Sequence, residues 1–242
     1  MNEDASGEVI GSHSERASPL LYLVWVPVRS EPKIFSDWYM ANHAPNLINA
    51  GFLSMNHCSV LNGSVPLLNY YEVSDMSSFG DGYARTRTSN PQVLRNEAEF
   101  SSGPNPGFVK AIYKQISYID AQGACPPLVR QRLMGPVVVL ARFNGDNSVV
   151  SNWHKSSAQD FLQSSGSLVS RLACLNEAQH PQPIGGIETR EFLIAVEAAN
   201  VDLGFQIQTE LSKRLEDLRA VDTVLVVVSI KNAVCNPECW SS

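Results

Sequence analysis

Tyr39 and His43 stand four residues apart within the stretch Phe35 to Cys58, FSDWYMANHAPNLINAGFLSMNHC. On a helix that spacing puts a phenol and an imidazole on one face, one turn from each other. An imidazole titrates near neutrality, and a phenol beside it can orient it or stabilise charge. The pair can therefore move a proton on and off carbon or oxygen. His43 is the candidate general acid/base and Tyr39 its partner. The competing reading makes His43 a helix-end residue that hydrogen-bonds a backbone carbonyl.

The stretch recurs as Ser151 to Cys174, SNWHKSSAQDFLQSSGSLVSRLAC, with Trp38 matching Trp153, Leu47 matching Leu162 and Gly51 matching Gly166 at one constant offset. A fixed-period repeat implies two copies of one unit. The second copy departs where the chemistry sits, carrying His154 in place of Tyr39 and Ala158 in place of His43. His154 either faces the other end of the same cavity or is an exposed helical histidine, and the second reading is the plainer one.

The elements that must position these groups can be read in order. Residues 1–18 are polar and rich in Ser, Glu and Gly, which predicts a disordered tail. The apolar run LLYLVWVPV, Leu20 to Val28, predicts a strand. Ser30 to Asn49 predicts a helix whose apolar stripe is Ile34, Trp38, Ala41, Pro45 and Ile48, with Pro45 interrupting the hydrogen-bond ladder and tilting this turn toward a barrel mouth. Phe52 to Leu61 and Val65 to Val73 read as a hairpin around Asn62-Gly63. Asp75 begins a second helix, broken near Asn90-Pro91 and resumed to Phe100; a Gly-Pro-rich loop at 103–107 precedes a strand, Phe108 to Ile119. After a linker at 121–134 the order repeats: strand Pro136 to Phe143, helix Asn147 to Ser164, strands Ser167 to Asn176 and Glu188 to Glu197, helix Val201 to Leu218 and strand Val221 to Ile230. The hairpin of this half is lengthened by Ala178 to Ile187. The fold expected is α+β: tandem ferredoxin-like β-α-β-β-α-β modules at 19–120 and 135–232, with a C-terminal tail at 233–242.

Each module covers one sheet face with its own helices and leaves the other apolar and open. Packing the two sheets face to face, as a pseudo-dimeric α/β barrel, covers both and places the expected pocket between them. Alternation groups Leu23 with Trp25, and an inward Trp25 face also turns Val138, Leu140 and Arg142 inward, where Arg142 would anchor a carboxylate or enolate. The other choice of face leaves Arg142 at a strand end in solvent. His57 shares a strand face with Met55 and is either a pocket residue or a core histidine under the helices. Tyr71 and Tyr113, with Tyr70, Glu72 and Glu197, are further strand residues that could line the pocket or simply pack. His13 and His180 read as solvent residues.

With 44% apolar and 17% charged residues the composition is that of a soluble globular protein. A net charge of −6 without a Lys/Arg run argues against nucleic acid or an anionic membrane as partner. Apolar runs are strand-sized, short of the roughly 20 residues a membrane helix needs. Five scattered cysteines fit reduced thiols in a cytoplasmic setting, and the Cys235/Cys239 pair lacks the second ligand pair that zinc would need. No phosphate loop, G-x-S-x-G or H-E-x-x-H is present, so neither metal nor nucleotide cofactor is expected. The expected partner is a small-molecule substrate; a homodimer through outer strands or helices stays open.

Phe35-x-x-Trp38-Tyr39-x-x-x-His43-Ala44-Pro45-Asn46-Leu47, followed by Gly51-Phe52 and a strand, resembles the EthD-type members of the dimeric α/β-barrel superfamily. The match is local to about 25 residues, and the order of elements extends it over most of the chain. The resemblance implies one of several activities: polyketide cyclase, dehydratase or decarboxylase, muconolactone-type isomerase, cofactor-free quinone-forming monooxygenase, or haem binding or degradation. Fold alone does not choose among them. The first expectation is a cofactor-independent lyase, isomerase or cyclase in which His43 and Tyr39 act on an aromatic or polyketide-like molecule held among Trp25, His57, Tyr71, Tyr113, Arg142 and His154. The alternatives are a cofactor-free oxygenase and a haem- or small-molecule-binding protein.

Overall fold

The computed structural model describes residues 20–28, 32–88, 109–121, 135–175 and 189–235. The predicted N-terminal tail, the resumed helix toward Phe100, the 103–107 loop, most of the linker, the lengthened hairpin with His180, and Cys239 lie outside the described residues. Eight strands carry the architecture: β1 (Leu20–Val26), β2 (Phe52–Val60), β3 (Leu67–Val73), β4 (Val109–Asp120), β5 (Val137–Asp146), β6 (Val169–Leu175), β7 (Thr189–Ala198) and β8 (Val221–Cys235). They close into one antiparallel barrel in the order β1-β3-β2-β8-β5-β7-β6-β4.

Closure depends on two strands longer than their apolar runs suggest. β4 pairs with β1 through Val109 to Lys114 and with β6 through Tyr113 to Asp120. β8 pairs with β5 from Val221 to Ser229 and continues along β2 to Cys235. The predicted end of β8 at Ile230 is therefore short: its last residues are held by ladder hydrogen bonds across the seam, and hydrophobicity does not mark them.

Helices cover the outside. Pro32–Trp38 forms α1 and Ala44–Asn49 forms α2, joined by a π-helical turn at Tyr39–His43; a 3₁₀ turn at Met76–Phe79 precedes α3 (Asp81–Thr88); α4 is Asn147–Ser165 and α5 is Val201–Asp217. Local sequence sets the ends. Asp146 caps α4 by accepting from Ser148 N at 2.8 Å and Val149 N at 3.0 Å, and Asn200 caps α5 through Leu203 N at 2.9 Å. The repeated glycines, Gly51 and Gly166, both turn the chain out of a helix with positive φ, 99° and 69°. Among the described residues no helix is long and apolar enough to cross a membrane.

Alternation along the strands sorts the apolar residues into three cores. Val137, Val139, Ala141, Phe143, Phe192, Ile194 and Val196 pack outward under α4 and α5, with Phe161, Leu162, Ile207 and Leu211. Tyr22, Val24, Met55, Tyr71 and Val73 pack outward under α1 and α2, with Phe35, Tyr39, Leu47 and Ile48. Leu21, Leu23, Tyr70, Tyr113, Val138, Leu140, Leu193 and Ala195 fill the barrel itself. An eight-stranded barrel is about wide enough for side chains to fill its interior. The space between the sheets, expected as the pocket, is packed with these side chains.

The first helix is also corrected. Its buried face is Phe35, Tyr39, Ala44, Leu47 and Ile48, and the expected stripe residues Ile34, Ala41 and Pro45 are exposed. The step of five between Tyr39 and Ala44 is the signature of the widened turn, in which Ala44 N donates to Tyr39 O. Pro45 has no N–H to give, and its ring crowds the carbonyl of Ala41. The helix relieves this by taking in one extra residue, which shifts the phase of everything before it.

Candidate functional site

The π-helical turn puts Tyr39 and His43 nearly over one another, with ring centroids 5.2 Å apart. Tyr39 is buried and His43 is half-buried, stacked at 6.0 Å on the Trp38 indole. Beneath them lies the outer face of β2 and β3. Register pairs His57 with Asn69, and the same face of β3 carries Tyr71 among the residues under the helices. The Tyr39 ring stacks on His57 at 5.2 Å, and its hydroxyl is hydrogen-bonded to that of Tyr71. His57 Nδ1 donates to Asn69 Oδ1 at 2.6 Å, and Nε2 lies 2.6 Å from Ser36 Oγ on α1. Four residues named from sequence, His43, Tyr39, His57 and Tyr71, thus converge between α1–α2 and the outer surface of the sheet.

Burial holds His57 neutral by lowering its pKa, an effect only partly opposed by the hydrogen bond to Asn69. A neutral imidazole with its proton fixed on Nδ1 offers Nε2 as a base. The site joins a buried, oriented base, a half-exposed histidine and a pair of phenols that can donate to a developing oxyanion. Ser36 and Asn69 were not singled out from sequence. Asn69 follows the alternation that places Leu67 and Tyr71 under the helices, but a polar residue in a strand announces nothing unless its partner is known.

Trp25, Tyr113 and Arg142 lie on the other side of the sheet. The Trp25 face does turn into the barrel, as does Arg142, whose guanidinium carbon is 5.8 Å from the Trp25 ring centroid. Tyr113 donates to Glu191 Oε1 at 2.6 Å, and burial, then Glu191, raises its pKa. These three form a group apart from His43, because strand alternation separates inner from outer faces by one residue. The single substrate contact set expected from sequence is therefore split between two surfaces.

His154 is fully buried on α4, its Nδ1 at 2.9 Å from Ser117 Oγ and Nε2 at 3.0 Å from Ser170 Oγ. The exposed reading of this residue is corrected. Val150, His154 and Ala158 recur at spacings of four on the apolar stripe, and Tyr39, its counterpart in the repeat, is buried as well. Both ring nitrogens are bonded to serine hydroxyls, and the ring is enclosed in the packing under α4. Burial drops its pKa to about 3. An unfolded chain takes up this proton below pH about 6.5 while the folded one refuses it, so stability is full above that value and lost as pH falls. Relative to His154→Gln, the wild type is expected to lose roughly 4 kcal/mol between pH 6.5 and pH 3, read by urea melts across that range. Parallel pH profiles of the two proteins would contradict this.

The barrel interior also holds an ion cluster in which Glu72 and Glu197 were named from sequence and Arg171 was not. Arg171 on β6, with no exposed surface, is bonded to Glu72 and reaches Glu197 Oε1 at 3.1 Å. Ser54 Oγ donates to Glu72 Oε2 at 2.8 Å and Gly135 N to Glu197 Oε2 at 2.9 Å. The signal was present: in VSRLACL, Arg171 stands in register with the inward-facing Ala173.

The sequence matches no protein-family model, and no curated protein matches it. Solved structures do share its shape. An anthrone oxidase-like protein superposes with TM-score 0.57 at 10% identity, over 93% of this chain and 96% of that one. A proposed monooxygenase from Fusobacterium nucleatum gives 0.54 at 9% identity, over 90% and 95% of the two chains. A second one, from Lactobacillus acidophilus, gives 0.54 at 6% identity, over 90% and 97%. At such identities the likeness is one of fold: the chain has the α+β architecture of the dimeric α/β-barrel proteins, closed within a single polypeptide.

Proposed function

We propose that this chain is a cofactor-independent acid/base enzyme, a lyase, isomerase or cyclase, acting on an enolisable aromatic or polyketide-like molecule bound between α1–α2 and the outer face of β2–β3. One observation carries the reading: the π-helical turn stacks His43 and Tyr39 above His57 and Tyr71 in one continuous group. His43, half-buried, moves the substrate proton. The phenols stabilise the enolate or phenolate oxygen, and His57 is a second base fixed by Asn69. The architecture is proposed to be a fused tandem of β-α-β-β-α-β units at 19–120 and 135–232. The strand order β4-β1-β3-β2 in the first half and β8-β5-β7-β6 in the second supports this.

The runner-up is a cofactor-free oxygenase. Deprotonating an anthrone-like phenol yields the electron-rich carbanion that dioxygen attacks, so the first step is shared, and the fold likeness to an anthrone oxidase-like protein favours this variant. Proton exchange and oxygen uptake tell them apart. A panel of anthrones, phenols and enolisable lactones in heavy water is expected to show enzyme-dependent exchange at carbon, falling by roughly 10²–10⁴-fold in His43→Ala. Exchange without oxygen uptake supports the lyase or isomerase reading, and stoichiometric uptake supports the oxygenase. A Soret band on the purified protein would support the haem alternative, and no exchange with any member of the panel would count against proton-transfer catalysis here.

A further inference from the structure

Three side chains from three elements form a directional array that the acid/base reading uses only in part. Ser36 Oγ on α1 lies 2.6 Å from His57 Nε2 on β2, and His57 Nδ1 lies 2.6 Å from Asn69 Oδ1 on β3. An amide oxygen only accepts, so it keeps the imidazole proton on Nδ1 and leaves the Nε2 lone pair facing the serine hydroxyl. Nucleophile, base and orienting group within hydrogen-bond reach of one another is the arrangement that activates a serine.

The second half of the barrel shows what a merely satisfied histidine looks like in this fold. His154 sits between the hydroxyls of Ser117 and Ser170, each able to donate or accept, so its ring has no imposed direction. His57 differs in having an acceptor on one side, while Ser36, like Ser117 beside His154, is half-buried. The ring is clamped by Tyr39 at 5.2 Å and Phe35 at 6.1 Å, which fixes its plane. The Tyr39 and Tyr71 hydroxyls, hydrogen-bonded to each other, belong to the same cluster.

We propose that Ser36 is a nucleophile activated by the His57–Asn69 pair, giving the protein an acyl-transfer activity toward small carboxylic esters or lactones. Ser36 Oγ bonds to the carbonyl carbon as its proton passes to His57 Nε2. Collapse of the tetrahedral adduct breaks the ester C–O bond, and the departing alkoxide takes that proton. Water, deprotonated by His57, then attacks acyl-Ser36, and the carboxylic acid leaves as the serine oxygen regains its proton. Acid and alcohol are the only products, and no oxidant or reductant enters. This activity goes beyond the proposed proton-transfer chemistry and does not depend on His43.

The test is covalent labelling of the full-length folded protein with diisopropyl fluorophosphate, which forms an Oγ–P bond, expels fluoride and passes the serine proton to His57. One adduct per chain is expected, mapped by peptide mass spectrometry to Ser36, and it should vanish in Ser36→Ala. In His57→Gln, checked for folding by near-ultraviolet circular dichroism, the labelling rate should fall by roughly 10²-fold or more. p-Nitrophenyl acetate should give a burst of nitrophenolate of up to one equivalent in the wild type and none in Ser36→Ala. A folded wild type that stays unlabelled at Ser36 overturns the proposal, as does equal labelling in folded His57→Gln. Neither readout requires turnover of an enolisable substrate, so failure here and failure of the acid/base reading are separable.

Discussion

Replacing Arg171 with alanine is expected to cost about 3–5 kcal/mol of unfolding free energy, because it leaves buried carboxylates without their cation. Arg171 has no exposed surface and is shared between Glu72 and Glu197 inside the barrel. Burial pushes the Glu72 pKa up, and Arg171 is the first group opposing that shift, with Ser54 next. Without the guanidinium the carboxyls must take up protons or stay ionised in a dry interior. The cluster need not be a net source of stability. Replacing all three charged groups together, as Arg171→Met with Glu72→Leu and Glu197→Leu, should recover most of the loss, since a well-packed apolar core often equals or exceeds a buried ion pair. Urea melts at neutral pH check both statements. A loss below about 1 kcal/mol in Arg171→Ala would show that water reaches the cluster.

His43→Ala is expected to lower turnover by roughly 10²-fold or more while leaving the fold intact, the usual scale for removing a positioned acid/base group. The side chain is half-buried, and the helix around it is anchored by Phe35, Tyr39, Leu47 and Ile48. Its removal takes away the imidazole and its ring contacts with Trp38 and Tyr39, while that buried core stays in place. Tyr39→Phe deletes the hydroxyl bonded to Tyr71 while keeping the ring stacked on His57, so its smaller effect should appear in kcat more than in KM if the phenol acts on the transition state. Steady-state kinetics on a substrate found by the exchange panel decide this. A fully active His43→Ala would remove His43 from the mechanism.

Much of the fold was legible because each element writes its period into the sequence. The near-continuous apolar runs LLYLVWV and VVVLARF, the Asn62-Gly63 turn and the matching Gly51 and Gly166 mark strands, turns and helix ends without tertiary information. The widened turn at Tyr39–His43 was not legible as such. Pro45 announced an interruption, but the added residue shifted the buried face, and the regular spacing put Ile34, Ala41 and Pro45 on the wrong side. The site was half legible for a related reason. Alternation groups His57 with Met55 and Trp25 with Leu23, yet nothing in a single strand says which face holds the pocket or which faces of different strands belong together. The seam halves of β4 and β8 and the pairing of Arg171 with Glu72 arise only when distant segments meet.

The central claim is that the substrate is bound at the helix-side cluster of His43, Tyr39, His57 and Tyr71, outside the barrel. A crystal structure soaked with an aromatic acid, phenol or lactone chosen by thermal shift tests it most directly. The account predicts ligand density between α1–α2 and β2–β3, within hydrogen-bond reach of His43 and of the Tyr39 or Tyr71 hydroxyl. Density inside the barrel beside Trp25, Tyr113 and Arg142, with none at the helix-side cluster, would contradict it.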